Sequence, residues 1–331
     1  MINLDSLKLQ FSPNLALVDL TKYDRTTTEK DNLELTSYKL KRQFLRTGIK
    51  EIYINDTKCS IDFSSKFVPG LYQDMININT IERYLTDISN SGLIKLNVSE
   101  VINNSLVRTC DTTNNMKVEN VATYINAMTV YKLNDKYNFK TWINESIEFE
   151  RKAKTNVYKE HLMIYNKLPE LMTARNKDFR TGIDINYFKN VLRFESRFTT
   201  FALMRKLFEV PDNNLITILN SDAKVNYKIL SRITDIKNID TEIFNNINSI
   251  IGMKEKHKHS KIRNTLGSLS ILHSCNYDID LVKLYFKTNS TANNSKYIRE
   301  MKQLLKTHNE VESKTGIDEK VHEMKEFLKV A

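Results

Sequence analysis

Eight consecutive residues, Val191-Leu192-Arg193-Phe194-Glu195-Ser196-Arg197-Phe198, alternate apolar and polar side chains almost without a break. Successive side chains on a strand point to opposite faces. The run is therefore predicted to be a strand with Leu192, Phe194 and Phe198 inward and Arg193, Glu195 and Arg197 outward. About thirty residues earlier, His161-Leu162-Met163-Ile164-Tyr165-Asn166-Lys167 repeats the arrangement. There Leu162 and Ile164 take the buried face, and His161, Tyr165 and Lys167 take the other.

The surrounding chain reads the same way up to one point. Residues 4–9 are predicted as a strand followed by a polar loop, and residues 48–56 and 58–63 as a hairpin. Residues 79–88 and 118–128 have helical spacing, while 94–107 reads as extended. A second hairpin runs from 145–150 through the basic connection 151–156 and returns as the Tyr165 strand. Residues 199–210 form an amphipathic helix with Phe201, Met204, Leu207 and Phe208 on its stripe. Pro211-Asp212-Asn213-Asn214 then marks a boundary, beyond which strand patterns disappear and helical ones take over. Strands first and helices afterwards predict an α+β domain over residues 1–210 and an all-helical, basic domain over 211–331.

Composition narrows the function classes. The chain has 331 residues, enough for one large or two medium cores. Its seven glycines include no GxxxxGK[ST] and no GxGxxG, which argues against P-loop nucleotide hydrolysis. Cys59, Cys110 and Cys275 are too scattered for a zinc site or a disulfide framework. No apolar run approaches a membrane span, and Met1-Ile2-Asn3-Leu4-Asp5 lacks the order of a signal peptide, so a cytoplasmic protein without membrane contact is expected. A net charge of +10 raises the prior for a polyanionic partner. Lys152 and Lys154 lie in the turn beside the Tyr165 strand, and Lys256, Lys258, Lys261 and Arg263 form a basic stretch in the helical part. Both stretches are candidate contacts for a DNA backbone; solvated basic surface is the alternative.

The polar face of the two strands has chemical possibilities of its own. A phenol beside an ammonium, near a carboxylate flanked by two guanidinium groups, suits attack on a phosphodiester. It equally suits an ordinary charged sheet surface. Tyr165 is by default a good strand former, Glu195 a salt-bridged carboxylate, and Glu170 an acid in the first turn of a helix. Asp111 has an Asx-turn or helix cap as its default role.

Three blocks, in order, carry a resemblance. They are Arg108-Thr109-Cys110-Asp111-Thr112-Thr113, then Tyr165-Asn166-Lys167 with Glu170-Leu171, then Leu192-Arg193-Phe194-Glu195-Ser196-Arg197. Together they span roughly residues 105–200 and resemble the rolling-circle replication initiators of filamentous phages (gene II/X type) and related small plasmids. The resemblance implies an antiparallel-sheet nicking domain in which Tyr165 attacks a phosphodiester at a plasmid or phage origin. The products would be a 5′-phosphotyrosyl bond and a free 3′-OH. It implies a metal-dependent site-specific DNA endonuclease and strand transferase using Mg²⁺ or Mn²⁺, with Asp111, Glu195 and, third, Glu170 as ligands. Lys167 would assist the phenol, and Arg193 and Arg197 would hold flanking phosphates. Origin DNA, as supercoiled duplex and single strand, would be the substrate, with a host helicase and polymerase as partners. Many such initiators bind metal through a His-hydrophobic-His pair. Here the close pair is His257-Lys258-His259, with a lysine between, so a carboxylate site is the expectation. The alternatives are a DNA-binding relative without chemistry and a structural or interaction protein of a phage or mobile element.

Overall fold

The structure, a computed structural model, describes residues 2–30, 33–131, 133, 134, 136–142, 145–153, 155, 159–234, 271, 275, 279–289 and 295–331. The first strands are β1 (Leu4–Phe11), β2 (Ala16–Leu17), β3 (Tyr23–Lys30), β4 (Leu33–Leu40), β5 (Ile49–Asn55) and β6 (Cys59–Ser64). They are followed by β7 (Lys95–Leu96), β8 (Leu106–Lys117), β9 (Tyr137–Trp142), β10 (Ser146–Arg151), β11 (His161–Asn166) and β12 (Val191–Phe198). Among the described residues ten of these make one sheet in the order β3-β4-β5-β6-β1-β8-β12-β11-β10-β9, and β2 and β7 make a separate ribbon. Every neighbouring pair in the large sheet is antiparallel.

Helices α1 (Ile81–Asn90), α2 (Val98–Asn104), α3 (Val121–Val130), α4 (Lys167–Leu171) and α5 (Lys177–Arg180) fall between the strands. Helices α6 (Phe201–Phe208), α7 (Leu215–Leu219), α8 (Val225–Thr234), α9 (Ile279–Asn289) and α10 (Ser295–Val330) follow. The protein is thus α+β, with a large antiparallel sheet and C-terminal helices. No helix among the described residues is long and apolar enough to cross a membrane.

Alternation decides which sheet face is covered. Leu7 and Leu9 of β1, Ile61 and Phe63 of β6, Phe194 and Phe198 of β12, and Leu162 and Ile164 of β11 are all buried. The ring of Phe63 meets Tyr84 of α1 at 6.3 Å, and Phe198 meets Phe208 of α6 edge-on at 5.2 Å. Helix α8 packs across β8, β11 and β12. It brings Asn226 to Thr112 Oγ1 (3.1 Å) and Asn114 Oδ1 (2.8 Å), polar atoms that would otherwise be stranded on an apolar face.

Two compact units divide the chain. The first is Met1–Thr129, Leu133–Thr234 and His322–Ala331; the second is Val130–Lys132 and Asp235–Val321. The expected boundary after Val210 falls inside the first unit, because α7 and α8 close its core with Leu215, Ile218, Ile229 and Ile233. In the second unit Cys275, Val282 and Met301 form a small core.

The 48–63 hairpin forms as read, and Asn55 Oδ1 accepts from the backbone N–H groups of Thr57 and Lys58 to close its turn. The polar loop expected after residue 9 is instead largely the β3–β4 hairpin at the sheet edge, where cross-strand backbone pairing needs no apolar face. The stretch read as extended over 94–107 contains α2, started by Asn97 accepting from Glu100 N–H. Of the helical patterns read beyond Val210, those over 242–251 and 262–273 lie outside the described residues, Ile271 excepted.

Candidate active site on the polar sheet face

Register places the candidate residues in rows across the polar sheet face. Tyr165 of β11 pairs with Arg193 of β12, which pairs with Asn115 of β8. Two residues further along, Met163, Glu195 and Thr113 form the next row, and Arg197 and Asp111 belong to the one after. Tyr165, Glu195 and Asp111 therefore share one face.

At the centre, Tyr165 Oη donates to Glu195 Oε2 at 2.9 Å, and Lys167 Nζ donates to Tyr165 Oη at 3.4 Å. Lys167 reaches the phenol from a helix, not from the strand. β11 ends at Asn166, whose Oδ1 accepts from Leu168 N–H at 3.3 Å and starts α4. Pro169 is tolerated in that first turn because its missing N–H would have had no partner there. The turn folds the lysine back over the rings of Tyr165 and Tyr72, 5.5 and 5.6 Å from their centroids.

Arg193 lies on the polar face as expected, but the solvent exposure that its role as a phosphate clamp needs is overturned. Its side chain is 0% exposed, and its Nη1 pairs with Asp5 Oδ1 at 3.2 Å while Nε donates to Asn115 Oδ1 at 2.8 Å. Lys167, at 1% exposure, and Tyr165, at 6%, are buried as well. The cause is a cover that no local pattern announces. Tyr72, Leu171, Phe179 and Phe188 form an apolar cluster on this end of the polar face. Tyr72 packs edge-on against Phe179 at 4.7 Å and lies under the Arg193 guanidinium at 5.6 Å. Arg193 is thus a scaffold cation rather than a surface clamp for phosphate. Arg197 remains on the surface, with its side chain 59% exposed, and Nε holds Asp111 Oδ1 at 3.1 Å.

Asp5, absent from the predicted site, comes from a β-bulge. The register between β1 and β8 shifts from Leu4↔Thr112 to Ser6↔Asp111, so Asp5 is an extra residue. A bulge re-aims a side chain, and this one turns a carboxylate towards Arg193 and Ser65 (2.8 Å). The consecutive polar pair Asp5-Ser6 inside an alternating strand was the available signal.

Electrostatics follow from this packing. Burial, the Glu195 carboxylate and other nearby acids push the Tyr165 phenol well above its ordinary range, against the pull of Arg193. Burial, then Asp5 and Asp111, raise the Glu195 carboxyl. Burial and Arg193 lower the Lys167 ammonium, although Asp5 and Glu170 oppose them. The phenol is held protonated, beside a carboxyl that accepts protons more readily than an exposed glutamate.

Glu170, the third expected ligand, faces cations instead. Lys167 lies at 2.8 Å, Lys66 at 3.0 Å and Arg175 at 3.4 Å. Burial opposes ionisation, but Lys167 and Lys66 more than offset it and hold the carboxyl at about 2. Because this acid is depressed below its unfolded value, its contribution is complete above about pH 4.5 and is lost as pH falls towards 2. Glu170→Gln should cost about 2–3 kcal/mol at pH 7, shrinking to about 0.4 kcal/mol at pH 2, where half of the carboxyls are still ionised. Urea unfolding of both proteins across that range measures the difference; a gap unchanged at low pH refutes the assignment.

Among the described residues no three His, Cys, Asp or Glu side chains converge as a metal-holding group. Asp111 and Glu195 nevertheless present two carboxyl groups on neighbouring strands, and the Glu195 carboxyl is raised by burial first and then by the charges of Asp5 and Asp111. Mg²⁺ is commonly held by one or two carboxylates together with substrate phosphate, so this pair fits such an ion. Lys152 is exposed in its loop. Lys154, Lys256, Lys258, Lys261 and Arg263 lie outside the described residues. Compared with known proteins, the chain matches no family model, no curated protein and no solved structure.

Proposed function

We propose that the protein nicks and rejoins one DNA strand at a plasmid or phage origin, starting rolling-circle replication through a 5′-phosphotyrosine intermediate. One observation carries the reading: Tyr165 Oη donates to Glu195 Oε2 at 2.9 Å with the Lys167 ammonium 3.4 Å away. A nucleophile, a base and a cation brought together from β11, β12 and α4 are the parts that covalent phosphoryl transfer needs.

In the forward step the Tyr165 Oη–P bond forms and the P–O3′ bond breaks. The phenol proton passes to Glu195 and from there to the departing 3′ oxygen, so the net transfer is from phenol to 3′-OH. Resealing is the reverse and needs no ATP, because the phosphotyrosyl bond conserves the energy of the phosphodiester. Lys167 stabilises the phenolate as it forms. Arg193, locked to Asp5 and Asn115, holds the strand that presents Glu195. Asp111 and Glu195 would hold Mg²⁺ or Mn²⁺, which when bound neutralises charge on the scissile phosphate. A host helicase and polymerase would extend the released 3′-OH.

The 6% exposure of Tyr165 favours one second reading: a DNA-binding relative in which the same residues form a buried polar core. Supercoiled plasmid carrying the cognate origin separates the two. The enzyme converts it to open circle in Mg²⁺ or Mn²⁺ and leaves an SDS-stable adduct on a Tyr165 peptide identified by mass spectrometry. Binding without any adduct establishes the second reading. Glu195→Gln should lower the nicking rate by about 10²–10⁴-fold, the worth of a positioned general base. A rate within threefold of wild type removes Glu195 from the reaction.

A further inference from the structure

A concave feature lies on the same sheet face, away from Tyr165. It encloses about 490 Å³, within the span of small-ligand sites of roughly 300–1,000 Å³. β1, β5, β6 and β8 supply most of its wall, and Phe201 at the start of α6 closes it. Register puts it in line with Tyr165. Tyr165 pairs with Arg193, Arg193 with Asn115, and β8 runs from Asn115 to Thr109 in the cavity wall. At about 4.8 Å per strand and 3.4 Å per residue that is roughly 10 Å across the strands and 20 Å along β8, a straight-line separation of about 23 Å.

The wall carries three cations, Lys8, Lys58 and Arg108, against one carboxylate, Glu51. Glu51 is already held by Lys8 and by Lys39, both at 2.7 Å. Lys58 and Arg108 make no ion pair among the described residues; each stands over an aromatic ring. Lys58 Nζ lies 5.8 Å from the centroid of Tyr53, and the Arg108 guanidinium lies 4.6 Å from that of Phe201. Arg108 owes its position to another bulge. The β1–β8 register moves from Lys8↔Thr109 to Leu9↔Val107, leaving Arg108 as the extra residue.

Cations free for phosphate, interleaved with rings of sequence-indifferent stacking capacity, are how single strands are gripped. A duplex keeps its bases stacked away from such rings and would use the cations alone. The geometry points to this cavity as a binding site for single-stranded DNA. Building on the nicking function proposed for Tyr165, it would seat the strand flanking the scissile phosphate.

The test uses the full chain and fluorescein-labelled dT20, with anisotropy read over a salt series. Arg108→Ser/Lys58→Ser should weaken binding at least tenfold and flatten the salt slope by about 1.4, at about 0.7 per lost single-strand contact. Tyr53→Leu should weaken dT20 binding by about 5-fold or more, the lower end of stacking energies, while leaving the salt slope in place. Thermal melts matching wild type establish that both variants are folded. Unchanged affinity and slope in the double variant overturn the site. So does equal or tighter binding of a 20-base-pair duplex, or displacement of dT20 by polyglutamate of equal charge. Wild-type nicking with unaltered dT20 binding by the double variant removes the cavity alone. Variant-sensitive dT20 binding by a protein that never forms a tyrosyl adduct keeps the cavity and removes the nicking function.

Discussion

Tyr165→Phe should abolish both nicking and the SDS-resistant adduct proposed for this protein while leaving DNA affinity within about twofold. The substitution removes one oxygen and keeps the ring that packs under Lys167. It deletes the atom that would bond to phosphorus, so the expected loss is total within the assay. Stability should change little, since Glu195 is partly exposed and recovers a water in place of the phenol. Supercoiled-plasmid nicking and a melt of the same preparation measure the two quantities. Retained nicking would move the nucleophile elsewhere, with Tyr158, outside the described residues, or Tyr187 the next to replace. Loss of fold together with loss of nicking would mark Tyr165 as a core residue.

Arg193→Met has the largest expected effect on stability. The guanidinium is 0% exposed, and its removal strands the Asp5 carboxylate and the Asn115 and Tyr72 oxygens that it serves. Breaking a buried pair from one side costs about 3–5 kcal/mol, largely through the charge left behind. Asp5→Asn added to Arg193→Met should recover part of that loss, because the stranded charge goes with it. Chemical denaturation of wild type, both single variants and the double variant closes the cycle. A single-variant cost below about 1 kcal/mol would show that Arg193 is not the scaffold cation.

Asp5 and Arg193 also show where reading the chain succeeds and where it stops. Alternation over 191–198 identified β12, and it correctly assigned Arg193 to the face opposite Phe194. It could not reveal that Tyr72, some 120 positions away, arrives over that face and removes Arg193 from water. The Tyr165–Glu195 hydrogen bond was legible only as a shared polar face. Its distance depends on the register of β11 against β12. Lys167 was assigned to the strand although Asn166 ends it, because an Asx cap looks the same as a polar strand residue until the next turn is built. The β3–β4 hairpin was missed for a related reason: an edge hairpin can be polar on both faces and leaves no period of apolar residues to detect.

Period-two patterning and the loss of strand patterns beyond Val210 were sufficient to read an α+β protein with helices at its C-terminal end, and to put Tyr165 and Glu195 on the polar faces of their strands. Those properties depend on near neighbours and on the burial of apolar side chains. The antiparallel sheet and the place of Asp111 beside them were implied only by the resemblance. Which polar residues are buried, which carboxylates meet which cations, and where the bulges at Asp5 and Arg108 aim their side chains were decided by tertiary structure alone. The energy of an ion pair or a phenol–carboxylate hydrogen bond depends on desolvation and on distances across strands that chain order does not record.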